Sequence, residues 1–280
     1  MKVRLVGDVG GTSADWALIG VKGVQVFSTI GYNPSSQSDR RLLKMCQEVR
    51  SKLISDHPSD LLYFGAGTSY PGACENIQKS FLQYLHLKKI DVQSDLLGAA
   101  LALCGDESGV VAILGTGSNV CHYDGQKIDI FGISLGFPLG DEGGGVDIGS
   151  RLVKDFYYGI LPTELKLILR DHLPPDPGEF LKRIKSSTAP NQMLASYVRL
   201  LSDYRDHYHV QGIVKAAFRN FCHCHLQRFK TYHKINFAGS IAFYFCRELE
   251  QILGESGFKM GNLEKSPIEA LAAYYGRNKT

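Results

Sequence analysis

The chain has 280 residues, 44% of them apolar, enough for one large domain or two lobes of roughly 100 to 150 residues. Its 31 basic and 28 acidic residues give a net charge of +3 without long runs of one sign, which argues against a nucleic-acid partner. No segment approaches the ~18 to 20 apolar residues of a membrane span, MKVRLVGD meets Asp8 too early for a signal peptide, and seven irregularly spaced cysteines suit a reducing compartment, so a cytoplasmic protein is expected.

Residues 2–8 (KVRLVGD), 14–21 (ADWALIGV) and 24–30 (VQVFSTI) read as three short strands separated by glycine turns. From Gln37 to Ile54, Leu42, Leu43, Cys46, Val49, Leu53 and Ile54 recur at helical spacing. A strand at Leu61–Gly65, a helix at about Gly72–Leu85, a strand at Lys89–Gln93 and a helix at Leu96–Cys104 complete the order βββαβαβα. The second half starts again with strands at Gly109–Leu114, Asn119–Tyr123 and Lys127–Phe131. Helical sequence broken near Pro162, Pro174–Pro177 and Ser186–Pro190 fills about 145–230. A strand at Lys234–Ala238, a helix at Ile241–Leu253, a short strand at Phe258–Asn262 and a helix at Pro267–Tyr275 follow. With the helical insertion removed, the order is again βββαβαβα, which predicts an α/β protein of two duplicated lobes, 1–106 and 107–280. The last helix is free to pack back on the first lobe.

GDVGGTSADWAL at 7–18 places Asp8 at a strand end and Gly10, Gly11 and Thr12 in the turn after it. Glycines let backbone N–H groups converge on an anion, and Asp8 could hold Mg2+ through water, but a plain hairpin turn also needs glycine. Leu114-Gly115-Thr116-Gly117-Ser118-Asn119 stands at the same place in the second copy. A pseudo-twofold relation between the copies would aim both turns into one cleft. Neither G-x-x-x-x-G-K-[ST] nor G-x-G-x-x-G is present, which excludes a P-loop or Rossmann binder.

The repeated unit, the DxGGT and LGTGSN hairpins and the late Phe237-Ala238-Gly239-Ser240-Ile241-Ala242 turn resemble the sugar kinase, Hsp70 and actin superfamily, with its duplicated ribonuclease H-like (actin-like ATPase) lobes. The resemblance spans essentially the whole chain, and its spacing is most similar to N-acetylglucosamine kinase and the BadF/BadG ATPases. It implies that Asp8, Gly10, Gly11, Thr12, Gly115, Thr116 and Gly117 hold ATP phosphates with Mg2+ at Asp8, and that Gly239 and Ser240 hold the adenosine. It further implies that Asp95, at the strand-to-helix junction in Val92-Gln93-Ser94-Asp95, is the general base. Read without the family, Asp95 is equally an N-cap, although Ser94 could serve there. Asp141 in the GDEG segment, Asn33 in Gly31-Tyr32-Asn33-Pro34, Ser118 and Asp95 are the implied sugar contacts. An Asn-Pro pair is also an ordinary turn, and Glu142 near a helix start is expected on dipole grounds alone.

The family's GGWG-like run is Ile133-Ser134-Leu135-Gly136 here, which weakens the expectation of acetyl-group recognition. Cys222-His223-Cys224-His225 lies in a helical pattern where only Cys222 and His225 can converge, which reads as packed cysteines and exposed histidines rather than a metal site. The expected activity is ATP-dependent phosphorylation of the 6-hydroxyl of an amino sugar, foremost N-acetylglucosamine, with a homodimer as the default state. Two alternatives stand beside it. One is a dehydratase-activating ATPase, which would need a cysteine just ahead of the Gly-Thr-Gly turn, and the other is a non-catalytic sugar or nucleotide regulator.

Overall fold

A computed structural model describes residues 3–21, 23–53 and 57–277. Lys2 and Ile54, placed by the sequence pattern in the first strand and first helix, lie outside them. The first copy runs β1 (Arg4–Val9), β2 (Ser13–Gly20), β3 (Gly23–Ile30), α1 (Asp39–Lys52), β4 (Asp60–Gly65), α2 (Ala73–Tyr84), β5 (Lys89–Ser94) and α3 (Asp95–Cys104). The second begins with β6 (Gly109–Leu114), β7 (Ser118–Tyr123) and β8 (Ile128–Phe131). It continues through α4 (Gly145–Tyr157), α5 (Thr163–Arg170), α6 (Pro177–Ser186), α7 (Pro190–Leu200) and α8 (Tyr208–His225). It ends with β9 (Lys234–Ala238), α9 (Ser240–Tyr244), α10 (Cys246–Glu255), β10 (Lys259–Glu264) and α11 (Ile268–Arg277).

The sheets are ordered β3-β2-β1-β4-β5 and β10-β9-β6-β7-β8. Read from its β8 edge, the second sheet has the third, second, first, fourth and fifth strands of its copy in the order of the first sheet. The duplication read from the sequence is therefore a duplication of topology. In the first sheet β1 runs antiparallel to β2 and parallel to β4, and β5 continues the parallel side.

Alternation along the strands sorts the first sheet's side chains. Leu5, Val9, Trp16, Leu61 and Tyr63 point into one core with Leu42, Met45 and Val49 of α1 and Ile77 and Phe81 of α2. At its centre the Trp16, Tyr63 and Phe81 rings lie 5.7 to 6.2 Å apart. Gly7 belongs beneath this cluster because a Cβ there would stand 2.4 Å from the Trp16 ring. On the opposite face lie Asp8, Asp15 and Phe64, with α3 and α11 against that side; Phe64 stacks on Tyr275, and Gly98 of α3 clears Phe64. In the second copy α8 buries Val210, Ile213, Val214, Ala217, Phe218, Phe221, Cys222 and His225, a single stripe at helical spacing.

Contacts divide the chain into two compact units: the segment up to Val111 with residues 123–129 and the segment from Ser266, and residues 112–122 with 130–265. Two sequence expectations need correction. The helix expected from Gln37 starts at Asp39, because the Gln37 side chain is engaged with the loops beside it. The helix expected over Ile241–Leu253 is two, α9 and α10, divided at Phe245.

Candidate active site

In the first unit β1 carries Asp8 to the sheet's C-terminal end, directly opposite Asp15 on β2. Like charges facing one another across a ladder repel. Asp15 is relieved by two hydroxyl donors, Ser28 Oγ at 2.6 Å and Ser266 Oγ at 2.7 Å. Asp8 has no basic partner within ion-pair distance among the described residues. Burial, then the charges of Asp95 and Asp15, push its pKa up to about 8. Asp95 opens α3 just past β5, and burial raises it to about 6 against the pull of its own backbone hydrogen bonds. Asp95 thus ionises first, and its charge helps keep the proton on Asp8. The capping ambiguity resolves to Ser94, whose Oγ accepts from the Leu97 N–H at 3.3 Å, while Asp95 Oδ1 accepts only from the adjacent Leu96 N–H at 2.9 Å.

The first hairpin, Gly10–Thr12, is closed by the Gly10 N–H donating to the Ser13 carbonyl at 3.0 Å. Its carbonyls are held from one side. Gln37 Nε2 donates to the Gly11 carbonyl at 2.9 Å, and the Thr12 carbonyl accepts from Gly31 N at 3.0 Å and Arg41 Nη2 at 3.3 Å. Because a trans peptide points its N–H opposite its C=O, holding the Gly11 carbonyl turns the Thr12 N–H the other way. Asn33 sits just beyond β3. Its Oδ1 accepts from Ser35 N at 3.0 Å and Ser35 Oγ at 2.7 Å, an Asx turn that fixes the carboxamide, and it lies against Gly67, where a Cβ would approach Oδ1 to 2.2 Å. The ordinary-turn reading of the Asn-Pro pair therefore holds as far as Oδ1 is concerned.

In the second unit, the Gly115 N–H donates to the Gly117 carbonyl at 3.0 Å and closes the other hairpin. The Gly115 and Thr116 carbonyls accept from the first N–H groups of α4, Gly145 at 2.8 Å and Val146 at 2.9 Å. The same geometry turns the Thr116 and Gly117 N–H groups away from α4. Asp141 is buried in a left-handed conformation, φ 68°, and its Oδ1 accepts from the Ser118 N–H at 3.4 Å. Gly117 must be glycine here, since a Cβ would stand 2.2 Å from that oxygen. Burial raises the Asp141 pKa, with the Ser118 N–H working against it. The Ser118 hydroxyl is buried and has no partner among the described residues. Gly239, at φ 112° between β9 and α9, lies against the start of the same hairpin, and a Cβ on it would meet the Leu114 carbonyl at 2.3 Å. Ser240 is the first residue of α9.

Each unit therefore carries a strand-ending glycine hairpin whose carbonyls are bound from behind, at the same point of the same topology. The fold is the duplicated actin-like ATPase fold. A structure provisionally assigned as an N-acetylglucosamine kinase of Porphyromonas gingivalis matches with a TM-score of 0.82 and 28% identity, over 98% of this chain and 99% of that one. Another, provisionally assigned the same way from Chromobacterium violaceum, matches with a TM-score of 0.72 and 14% identity over 98% and 99%. A ROK family glucokinase of Streptomyces griseus, in complex with glucose and AMPPNP, matches with a TM-score of 0.55 and 13% identity over 99% and 100%. No family model and no curated protein sequence matches the chain.

Within this actin-like ATPase fold, three residues near the hairpins escaped the sequence reading. Gln37 and Arg41 fasten the first hairpin, and only their position after the third strand could have pointed to them. Tyr63 has its buried hydroxyl beneath Gly65, without a partner among the described residues. His225, expected at the surface, is instead nearly sealed from solvent on the buried stripe of α8 and bonds through Nε2 to Glu142 at 2.8 Å, tying the last residue of that helix to the neighbour of Asp141. Cys222 is buried on the same helix, and its thiol is pushed up to about 11 by burial. No helix among the described residues is long and apolar enough to cross a membrane.

Proposed function

We propose that the protein is an ATP-dependent sugar kinase that transfers the γ-phosphoryl group to the 6-hydroxyl of an amino sugar, with N-acetylglucosamine as its first candidate substrate. The observation that carries the reading is Asp95: a carboxylate at the C-terminal end of a strand, with its pKa raised to about 6 and no basic partner among the described residues. Phosphoryl transfer asks the protein mainly for positioning, for charge stabilisation and for one carboxylate to take the hydroxyl proton. A base with a pKa near 6 is ionised at neutral pH yet retains affinity for a proton. The provisional assignment of the P. gingivalis protein supports N-acetylglucosamine as the acceptor.

The remaining roles follow the chemistry of each group. Asp8 is a hard oxygen donor crowded by two other carboxylates, and Mg2+, which prefers oxygen ligands and keeps several waters, fits that donor set. Bound there, the ion would neutralise charge on the ATP phosphates. Gly10, Gly11, Thr12, Gly115, Thr116 and Gly117 hold the phosphates, and Gly239 and Ser240 hold the adenosine. Asp141 and the orphan Ser118 hydroxyl receive sugar hydroxyls, together with Asn33 through its Nδ2. The dehydratase-activator alternative meets no cysteine in β6, the strand ahead of the Gly-Thr-Gly turn.

The test is ADP release across a panel of sugars, comparing the wild type with Asp95→Asn. The variant is expected to melt normally, to bind the nucleotide, and to lose turnover by roughly 10²- to 10⁴-fold. The wild-type kcat/KM is expected to fall as pH drops below about 6, where the base is protonated. An unchanged rate in Asp95→Asn rejects Asp95 as the base, and no ADP release with any sugar rejects the kinase.

A further inference from the structure

The two hairpins are fastened by different means. In the second copy the carbonyls of Gly115 and Thr116 accept backbone N–H groups from Gly145 and Val146 at the start of α4. In the first copy side chains take part, although the Thr12 carbonyl also accepts the Gly31 N–H at 3.0 Å. Gln37 Nε2 donates to Gly11 and Arg41 Nη2 to Thr12. Arg41 spends its other bond on the Gly31 carbonyl, at 2.7 Å, so both its contacts stay on the hairpin and the end of β3. Gln37 reaches further, because its Oε1 accepts from the Asn33 N–H at 2.9 Å. The Asn33 carbonyl in turn accepts from the N–H groups of Ser36 at 3.2 Å and Gln37 at 3.0 Å, which closes the loop around this side chain. One planar carboxamide thus joins the peptide group of Asn33 to that of Gly11. Among uncharged side chains an amide alone offers an acceptor oxygen and a separate donor nitrogen at a fixed spacing, and glutamine supplies the reach.

We propose that Gln37 is a positioning residue that couples the Asn33 loop to the first glycine hairpin, so that a ligand on either one favours a ligand on the other. The inference rests on the kinase reading, in which the Asn33 loop takes the sugar and the hairpin takes phosphate. A ligand that orders one loop also fixes the carboxamide, and through it the other loop. The second ligand then meets a segment whose ordering cost has already been met, which is positive cooperativity without a large movement. The coupling is reciprocal by linkage. In the second hairpin the corresponding carbonyls accept backbone N–H groups of α4, and Asp141 Oδ1 accepts from the Ser118 N–H.

The experiment uses the full-length protein and isothermal titration of N-acetylglucosamine with and without a non-hydrolysable ATP analogue and Mg2+. The ratio of the two affinities is the coupling. The wild type is expected to show a factor of about 5 or more, the low end of typical coupling between sites. Gln37→Leu is expected to bring the ratio close to 1 while each ligand still binds alone. Gln37→Glu keeps the acceptor for Asn33 but sets a carboxylate against the Gly11 carbonyl, so its ratio is expected to fall as well. It replaces Gln37→Leu in the comparison should that variant fail to fold. Arg41→Leu loosens the same hairpin without touching the link, and is expected to weaken the nucleotide alone with the ratio retained.

Hydrogen exchange gives a readout independent of the sugar. The nucleotide analogue is expected to slow exchange of the 33–37 amides in the wild type and not in Gln37→Leu. A wild-type ratio of 1, or an unchanged ratio in Gln37→Leu and Gln37→Glu, overturns the inference while leaving the kinase standing, provided both ligands bind and ADP is released. Absence of binding by either ligand overturns both.

Discussion

Asp8, Asp15 and Asp95 gather three carboxylates at one end of one sheet face, an arrangement that folding alone does not favour. Asp15 accepts from Ser28 and Ser266 and Asp95 from the Leu96 N–H, while Asp8 is shifted further than Asp95. A carboxyl whose pKa rises on folding favours the folded state at low pH and loses that contribution as pH climbs through the folded pKa. For Asp8 the window runs from its ordinary value of 3.8 to about 8. Asp8→Asn removes the ionisable group and keeps its shape. In the ligand-free protein the variant is therefore expected to melt a few degrees above the wild type at pH 9, the gap narrowing toward pH 6, as scanning calorimetry at the two pH values would show. Its Mg2+-dependent turnover is expected to be lost. A gap independent of pH would mean that Asp8 carries no folding-linked proton.

At the scale of elements, α4 does for the second hairpin what Gln37 and Arg41 do for the first, and it depends on a close approach to α7. Gly145 and Gly149 lie on the face of α4 toward α7, and a Cβ at 149 would stand 2.0 Å from the Leu194 carbonyl. In an exposed helix Gly→Ala stabilises by about 1 kcal/mol. Here the obstacle is backbone, and overpacking of this kind costs roughly 1–3 kcal/mol, so Gly149→Ala is expected to destabilise on balance. Since α4 would have to shift with Gly145 and Val146 on it, nucleotide affinity is expected to fall as well. A melt and a nucleotide titration of the variant check both, and a raised melting temperature would show that helix propensity outweighs the clash. None of this packing was legible in the sequence, where Gly145 marked only the start of the helical stretch. What was legible were features with local causes: strands from alternation, the hairpins from glycine, and the duplicated order from both. The fastening of the hairpins stayed hidden because Gln37, Arg41 and His225 act on partners 26, 29 and 83 residues away.

On the scale of the whole chain, the first unit is not continuous in sequence. Its sheet is complete by Ser94, yet one face of that sheet is covered partly by α3 and partly by a helix from the far end, α11, which packs on β1 and β2 and buries Ile268, Leu271 and Ala272. Tyr275 stacks on Phe64 at 6.2 Å and lies under Arg4, the Tyr274 hydroxyl donates to Asp106 at 2.9 Å, and Ser266 supplies one of the two donors that relieve Asp15. A fragment of residues 1–106 would expose the side of Phe64 that stacks on Tyr275 and the apolar part of β1 and β2 to water, and return Asp15 to a single donor. Buried apolar surface contributes about 25 cal/mol per Å², and marginal domains have only about 5–15 kcal/mol in total. Uncovering the part of that face over β1 and β2 is therefore enough to cost this fragment its cooperative fold. The expectation is that 1–106 alone shows no cooperative melt by circular dichroism, and that Leu271→Ala in the full chain, which opens a cavity in the covered face, lowers stability by about 2–5 kcal/mol. A fragment that melted as sharply as the full chain would show that α11 is an accessory cover, and that the βββαβαβα unit is complete without it.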